Sequence, residues 1–211
     1  MQISPQPIAE GGPVKVYVWT DFVCPFCLLG EGLVQQAVAA THARMHWLPF
    51  ELRPYPAPTL LPEDDYLPRT WREAVYPMAT RLGVPIKLPS VSPQPWTRTA
   101  FIGMQYALDQ HCGNAYASAV LRAFFQQDRD VGKVEVLRDV AQSVGMDPGE
   151  FAAALPQPGY ARRHDAALAL AQRFGVRAVP TILIGDTLLA GVTGVATLER
   201  AIAAARTNLL N

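Results

Sequence analysis

Residues 14–29 read Val14-Lys15-Val16-Tyr17-Val18-Trp19-Thr20-Asp21-Phe22-Val23-Cys24-Pro25-Phe26-Cys27-Leu28-Leu29, and their order decides the fold class. β-Branched and aromatic residues crowd 14–20, which predicts a short strand buried on both faces. Beyond the cysteines, Leu28, Leu29, Leu33, Val34, Ala37 and Val38 recur at helical spacing as far as Thr41. A cysteine pair thus stands between a buried strand and the first turn of a helix, the setting in which C-x-x-C reads as redox chemistry.

The chemistry follows from that position. A helix start leaves backbone N–H groups unpaired and carries about half a positive charge, which favours thiolate over thiol at the first cysteine. Cys24 is the expected nucleophile. Cys27, one turn on and facing inward, is expected to hold its proton more tightly and to attack the mixed disulfide as the resolving thiol. The dipeptide between them, Pro25-Phe26, has no ionisable group, so a less extreme oxidant is expected than from a pair enclosing a histidine. No metal is expected: zinc needs four ligands, and beyond this pair there are only Cys112 and four scattered histidines. His42 and His46 are four apart, but the second falls in a predicted strand. His111 and His164 are isolated and read as solvated or core-satisfied.

Further along, 45–52 predicts a second strand, closed by Pro54, Pro56, Pro58 and Pro62. From there to Pro158 only helical patterns occur, over 69–82, 97–112, 115–127, 134–144 and 148–155. The third cysteine lies on the stripe Phe101, Met104, Leu108, Cys112 and is assigned to core packing rather than redox work. A helix over 160–174 ends at Gly175, strands are expected over 179–184 and 187–190 about a Gly185-Asp186 turn, and a last helix over 195–206. The chain is therefore read as α/β, with sheet residues at both ends: a flexible N-terminus at 1–13, a sheet domain from 14–58 and 159–211, and a helical insertion at 59–158.

Composition narrows the function classes. The chain has 211 residues, 50% hydrophobic and 17% charged, which describes a packed globule rather than a disordered or cystine-dense chain. Eighteen basic residues balance eighteen acidic ones, so no global field draws it to nucleic acid or anionic lipid. No apolar run reaches the roughly 20 residues that cross a bilayer, and the first residues lack a secretory pattern. A cytoplasmic protein without nucleic-acid or membrane partners, monomeric or homodimeric, is expected.

A second motif completes the reading. In Val176-Arg177-Ala178-Val179-Pro180-Thr181-Ile182-Leu183-Ile184 a proline opens an otherwise good strand, so it belongs at an edge or a strand start. Together with the cysteine turn and the helical insertion, this resembles the DsbA family of thioredoxin-fold proteins. Asp21-x-x-Cys24-Pro25-Phe26-Cys27-x-x-Gly30, Pro49-Phe50-x-Leu52-x-Pro54 and Gly175-Val176-x-x-Val179-Pro180-Thr181 look like its FrnE-type branch.

The resemblance implies a thioredoxin-like core with an all-helical insertion, a cis bond before Pro180, and dithiol–disulfide exchange through Cys24 and Cys27. Val179, Pro180, Pro25, Phe26 and Phe22 are then the candidate substrate-binding residues, and Asp21 a candidate proton relay. Trp19 and Trp71 are further candidates for an apolar rim. No bound cofactor is implied, with glutathione a candidate redox partner, and the expected substrates are protein or peptide thiols and disulfides or a small molecule. The related 2-hydroxychromene-2-carboxylate isomerases and kappa-class glutathione transferases typically carry serine where Cys24 stands. That makes a glutathione-dependent isomerase or transferase the enzyme alternative, and a peptide-binding or chaperone module the non-enzyme one.

Overall fold

The computed structural model describes residues 12–208, so most of the expected N-terminal segment, 1–11, lies outside the described residues. Strand β1 runs Lys15–Thr20 and pairs in parallel with β2, Arg44–Pro49. Parallel neighbours need a crossover, and helix α1, Pro25–Thr41, supplies it. On its other side β1 pairs antiparallel with β3, Thr181–Ile184, which forms a hairpin with β4, Thr187–Ala190. The sheet order is β2-β1-β3-β4, so strands from the two ends of the chain meet at its centre. Burial follows that order: Val16, Val18, Trp19 and all of β3 are buried, whereas the edge strand β4 is largely exposed. β2 stops at Pro49, short of the expected Leu52, because its β1 partner ends at Thr20 and nothing remains to ladder with.

The regular elements between β2 and β3 are all helical, separated by irregular stretches such as 50–65 and 83–97. Helix α2, Tyr66–Thr70, and α3, Tyr76–Leu82, are joined without a break by a wider turn, Trp71–Val75. There the Tyr76 N–H donates to the Trp71 carbonyl five residues back. The widening has a cause in the sequence: Pro77 has no N–H to give the Glu73 carbonyl, and the helical register slips around that gap. Then come α4, Arg98–Asp109; α5, Gly113–Phe125; α6, Val134–Ser143; α7, Pro148–Ala154; and α8, Pro158–Arg173. Helix α9, Val195–Asn208, closes the described chain. α1 packs against α9 and α5, while α8 packs against β2 and α4. No helix among the described residues is long and apolar enough to cross a membrane.

Helix α7 opens on a side-chain cap. Asp147 Oδ1 accepts from the N–H groups of Gly149 and Glu150, with Pro148 in the first helical position. Cys112 departs from expectation in its position, not in its packing. α4 ends at Asp109, so Cys112 is not on its stripe; half-buried before α5, it still packs against the core, its thiol donating to the Val144 carbonyl at 3.6 Å.

The helical core is tight enough to make one glycine obligatory. A Cβ at Gly103 would lie 2.6 Å from Phe151 Cζ and 2.6 Å from Tyr116 Oη, both fully buried. Alanine there gains about 1 kcal/mol of helix propensity but forces two closed-in aromatic rings apart, which typically costs about 1–3 kcal/mol or more. Gly103→Ala is therefore expected to lower the urea midpoint, whereas exposed-site glycine-to-alanine changes within helices raise it.

Candidate active site

The end of β1 sets the site. After Thr20 the chain turns through Asp21, Phe22 and Val23, and the Cys24 N–H donates to the Asp21 carbonyl at 3.0 Å. Cys24 takes the extended N-cap position of α1, with Pro25 at the first helical position, where its fixed φ suits a helix start and its missing N–H costs nothing. The Cys27 N–H donates to the Cys24 carbonyl at 3.0 Å, closing the turn. Residues three apart on a helix share a face, so the two sulfurs lie side by side.

Their surroundings differ. Cys27 is 1% exposed, and burial, together with the Cys24 sulfur beside it, pushes its thiol well above the ordinary range. The Thr20 hydroxyl and the Asp21 N–H face that sulfur and favour its thiolate, but burial outweighs them. The Cys24 thiol donates to the Val179 carbonyl at 3.3 Å, across 155 residues of sequence. That contact joins the two motifs. The Val179–Pro180 bond is cis, as expected, and a Cβ added at Gly30 of α1 would touch the Pro180 ring at 3.6 Å. Two further cis bonds, Tyr55–Pro56 and Ser92–Pro93, were not foreseen.

Cys24, Pro25, Phe26 and Val179 line one cavity of about 230 Å³. Its other walls come from Leu52 and Arg53 after β2, Tyr66 to Trp71 of the helical segment, Gln94, and Arg177 in the loop before Pro180. Four of the expected site residues are thus brought together, and Pro180 stands directly behind them. Phe22 is not. It is fully buried and stacks on Phe101 with ring centroids 4.2 Å apart, so it belongs to the core and not to a substrate rim. An apolar residue beside a cysteine reads the same in sequence whether it faces a cleft or a core. Trp19 is likewise core, tilted against Phe174. Trp71, though almost fully buried, does wall the cavity.

Asp21 is 1% exposed. Burial raises its carboxyl to about 6, a shift that the Leu52 N–H, donating to Oδ2 at 2.7 Å, the Thr97 hydroxyl and the Val23 N–H only partly oppose, and that nearby Glu51 adds to. Glu51 in turn is held by His164 Nε2 at 2.5 Å, a fully buried ring stacked on Phe101, with Arg98 3.9 Å away. His164 is therefore a core residue, satisfied by Glu51 at Nε2 but with no hydrogen-bond partner at Nδ1, so the expected core-satisfied imidazole is met at one nitrogen only.

Sequence reading missed Arg53, Arg177 and the Tyr66–Thr70 wall. The two arginines stand at variable positions inside the motifs at Pro49–Pro54 and Gly175–Thr181, and Tyr66–Thr70 lies in a stretch with no motif of its own. Among the described residues no three His, Cys, Asp or Glu gather as a metal site would need.

Comparison with known proteins agrees with this geometry. A model of the DSBA-like thioredoxin domain family matches residues 15–203. The chain is 39% identical over 191 residues, 90% of its own length and 96% of the other, to the uncharacterized protein YwbO of Bacillus subtilis strain 168. Among solved structures it resembles a probable DsbA oxidoreductase from Streptomyces coelicolor, with a TM-score of 0.75, 22% identity, and coverage of 92% of this chain and 90% of that one. It also resembles a 2-hydroxychromene-2-carboxylate isomerase, with a TM-score of 0.74, 21% identity and coverage of 92% and 97%. With a β1-turn-α1 cysteine pair facing the residue before a cis proline, and a family match over nearly all its length, the chain belongs to the DSBA-like thioredoxin domain family.

Proposed function

We propose that the protein is a thiol–disulfide oxidoreductase working in the cytoplasm, with Cys24 as nucleophile and Cys27 as resolving thiol. One observation carries the reading: two neighbouring sulfurs at the mouth of α1, the first turned to the Val179 carbonyl and lining an open cavity, the second buried behind it. Three cysteines in 211 residues fit a reducing compartment, where stability does not depend on disulfides. In this reading the segment 14–58 carries the two exchanging sulfurs, 159–211 sets Val179 and Pro180 against them, and 59–158 supplies one wall of the pocket.

The exchange balances as follows. The Cys24 thiolate attacks one sulfur of a substrate disulfide, forming a mixed disulfide and expelling the other arm as a thiolate that takes up a proton. Cys27, after losing its proton, attacks the Cys24 sulfur; the Cys24–Cys27 bond forms and the second arm leaves as thiol. Two electrons pass from the protein to the substrate, and a reducing thiol such as glutathione reverses the pair. The Thr20 hydroxyl and Asp21 N–H stabilise the Cys27 thiolate at the moment it is needed, and in this reading the neighbouring Asp21 carboxyl, raised to about 6, is the relay that takes the proton near neutral pH.

The test is insulin reduction and scrambled-ribonuclease refolding with wild type and Cys24→Ser, together with glutathione titration of the pair. Cys24-dependent turnover in either assay, and a potential well below the about −120 mV of the most oxidising pairs, is the expected result. No Cys24-dependent turnover in both assays overturns the assignment. Saturable glutathione binding with activity that survives Cys27→Ser would instead establish the isomerase or transferase type.

A further inference from the structure

The cavity beside Cys24 is lined by two guanidinium groups and no carboxylate. Arg53 is half-buried in the segment after β2, and Arg177 is exposed three residues before Pro180. Elsewhere Arg98 pairs with Asp165 at 2.7 Å, Arg129 with Asp139 and Arg163 with Asp109, while other arginines, such as Arg72 and Arg81, stand unpaired on the open surface; what sets Arg53 and Arg177 apart is that they share one cavity. Among the described residues Arg53 and Arg177 have neither an ion pair nor a side-chain hydrogen bond. Arg53 also borders the small void next to Asp21, yet no ion pair forms between them.

Two unpaired cations at one pocket repel each other, and an anion between them relieves that repulsion while accepting their fixed N–H forks. The remaining lining is mainly apolar, with Phe26, Leu52, Leu60, Leu67 and Trp71, so the occupant has a hydrocarbon portion as well as charge. At about 230 Å³ the cavity is smaller than the roughly 300–1,000 Å³ of a drug-sized ligand site, so it suits one arm of a disulfide.

Resting on the exchange reading above, we propose that Arg53 and Arg177 are specificity-determining residues that select disulfides whose cavity-bound arm carries carboxylate. That arm is the one left on Cys24 in the mixed disulfide. The arginines hold its carboxylate while the opposite arm departs as thiolate, and they release it when Cys27 forms the intramolecular bond.

The experiment measures second-order oxidation of the reduced protein by three small disulfides: glutathione disulfide, with anionic arms; hydroxyethyl disulfide, neutral; and cystamine, cationic. Each rate is divided by that of dithiothreitol with the same disulfide, which removes intrinsic reactivity. The expected order is anionic, then neutral, then cationic, with the spread narrowing as salt is raised. Arg53→Gln and Arg177→Gln should each slow the anionic disulfide by roughly threefold to tenfold and the double variant by more than either alone, short of the full product because they share one carboxylate, with the neutral one unchanged within about twofold.

Cys24-dependent reaction of wild type with no charge preference overturns this inference alone and leaves the exchange reading standing. A double variant that slows neutral and anionic disulfides equally also overturns it, by reducing the arginines to structural supports. Absence of Cys24-dependent reaction with all three overturns both.

Discussion

Cys27→Ser should turn the protein into a trap, with a mixed disulfide on Cys24 accumulating toward one per chain and turnover falling by roughly a thousandfold or more. The magnitude comes from what replaces the lost step. In the wild type the second attack is made by a sulfur held against the Cys24 sulfur on the same helical turn, and well-oriented intramolecular partners act at effective concentrations far above molar. In the variant only dissolved thiol, at about millimolar concentration, attacks a bond that is 5% exposed on the Cys24 side. Burial also explains the order of events. Cys27 holds its proton because charge is disfavoured where it sits, so it does not compete with Cys24 for the incoming disulfide. Intact mass under non-reducing conditions reads the adduct directly. Full turnover without an adduct would remove Cys27 from the mechanism and with it the dithiol route; Cys24→Ser should form no adduct at all.

Much of this was legible locally. The strand at 14–20, the helix from Pro25 to Thr41 and the cysteine turn between them depend on neighbours within a few residues, and β1 and α1 appear where periodicity and the Pro25 signal put them. The cis bond before Pro180 came only with the family resemblance, since a proline opening a strand fits either isomer. What sequence did not disclose was which side of each element faces which neighbour. Phe22 and Phe26 flank the same cysteine, yet one stacks on Phe101 in the core and the other lines the cavity. Arg53 and Arg177 look like ordinary surface charges until the fold brings their two loops to the same sulfur. Cys112 was placed on a helical stripe that in fact stops at Asp109, because a three-and-four spacing continues on paper past the point where the backbone turns.

The Asp21 carboxyl leads to the other large expected effect, on stability and its pH dependence. In the unfolded chain this group titrates near 3.8, and in the fold near 6, chiefly because its charge is taken out of water and secondarily because Glu51 lies beside it. Glu51 is itself held by His164 and Arg98, and the Leu52 N–H at 2.7 Å is among the donors that meet the Asp21 charge. Between those two pH values the folded state binds more protons than the unfolded state, so stability falls as pH rises through the interval and is flat beyond it. The stability associated with the protonated carboxyl is fully present below about 3.8 and lost above about 6. About two pH units at 1.36 kcal/mol each put the loss near 3 kcal/mol. Asparagine has the same shape, can accept the Leu52 N–H through its carbonyl oxygen, and never ionises. Asp21→Asn should therefore be more stable than wild type by about 2–3 kcal/mol at pH 7.5, with the difference vanishing near pH 4, when both reduced proteins are unfolded in urea at a series of pH values. If the same carboxyl handles the Cys27 proton, the stabilised variant should also release its mixed disulfide more slowly above pH 6, tying a gain in folding to a loss in rate. A stability difference of equal size at pH 4 and pH 7.5 would mean that packing, not charge, distinguishes the two side chains, and that the buried acid has no titration to offer the exchange.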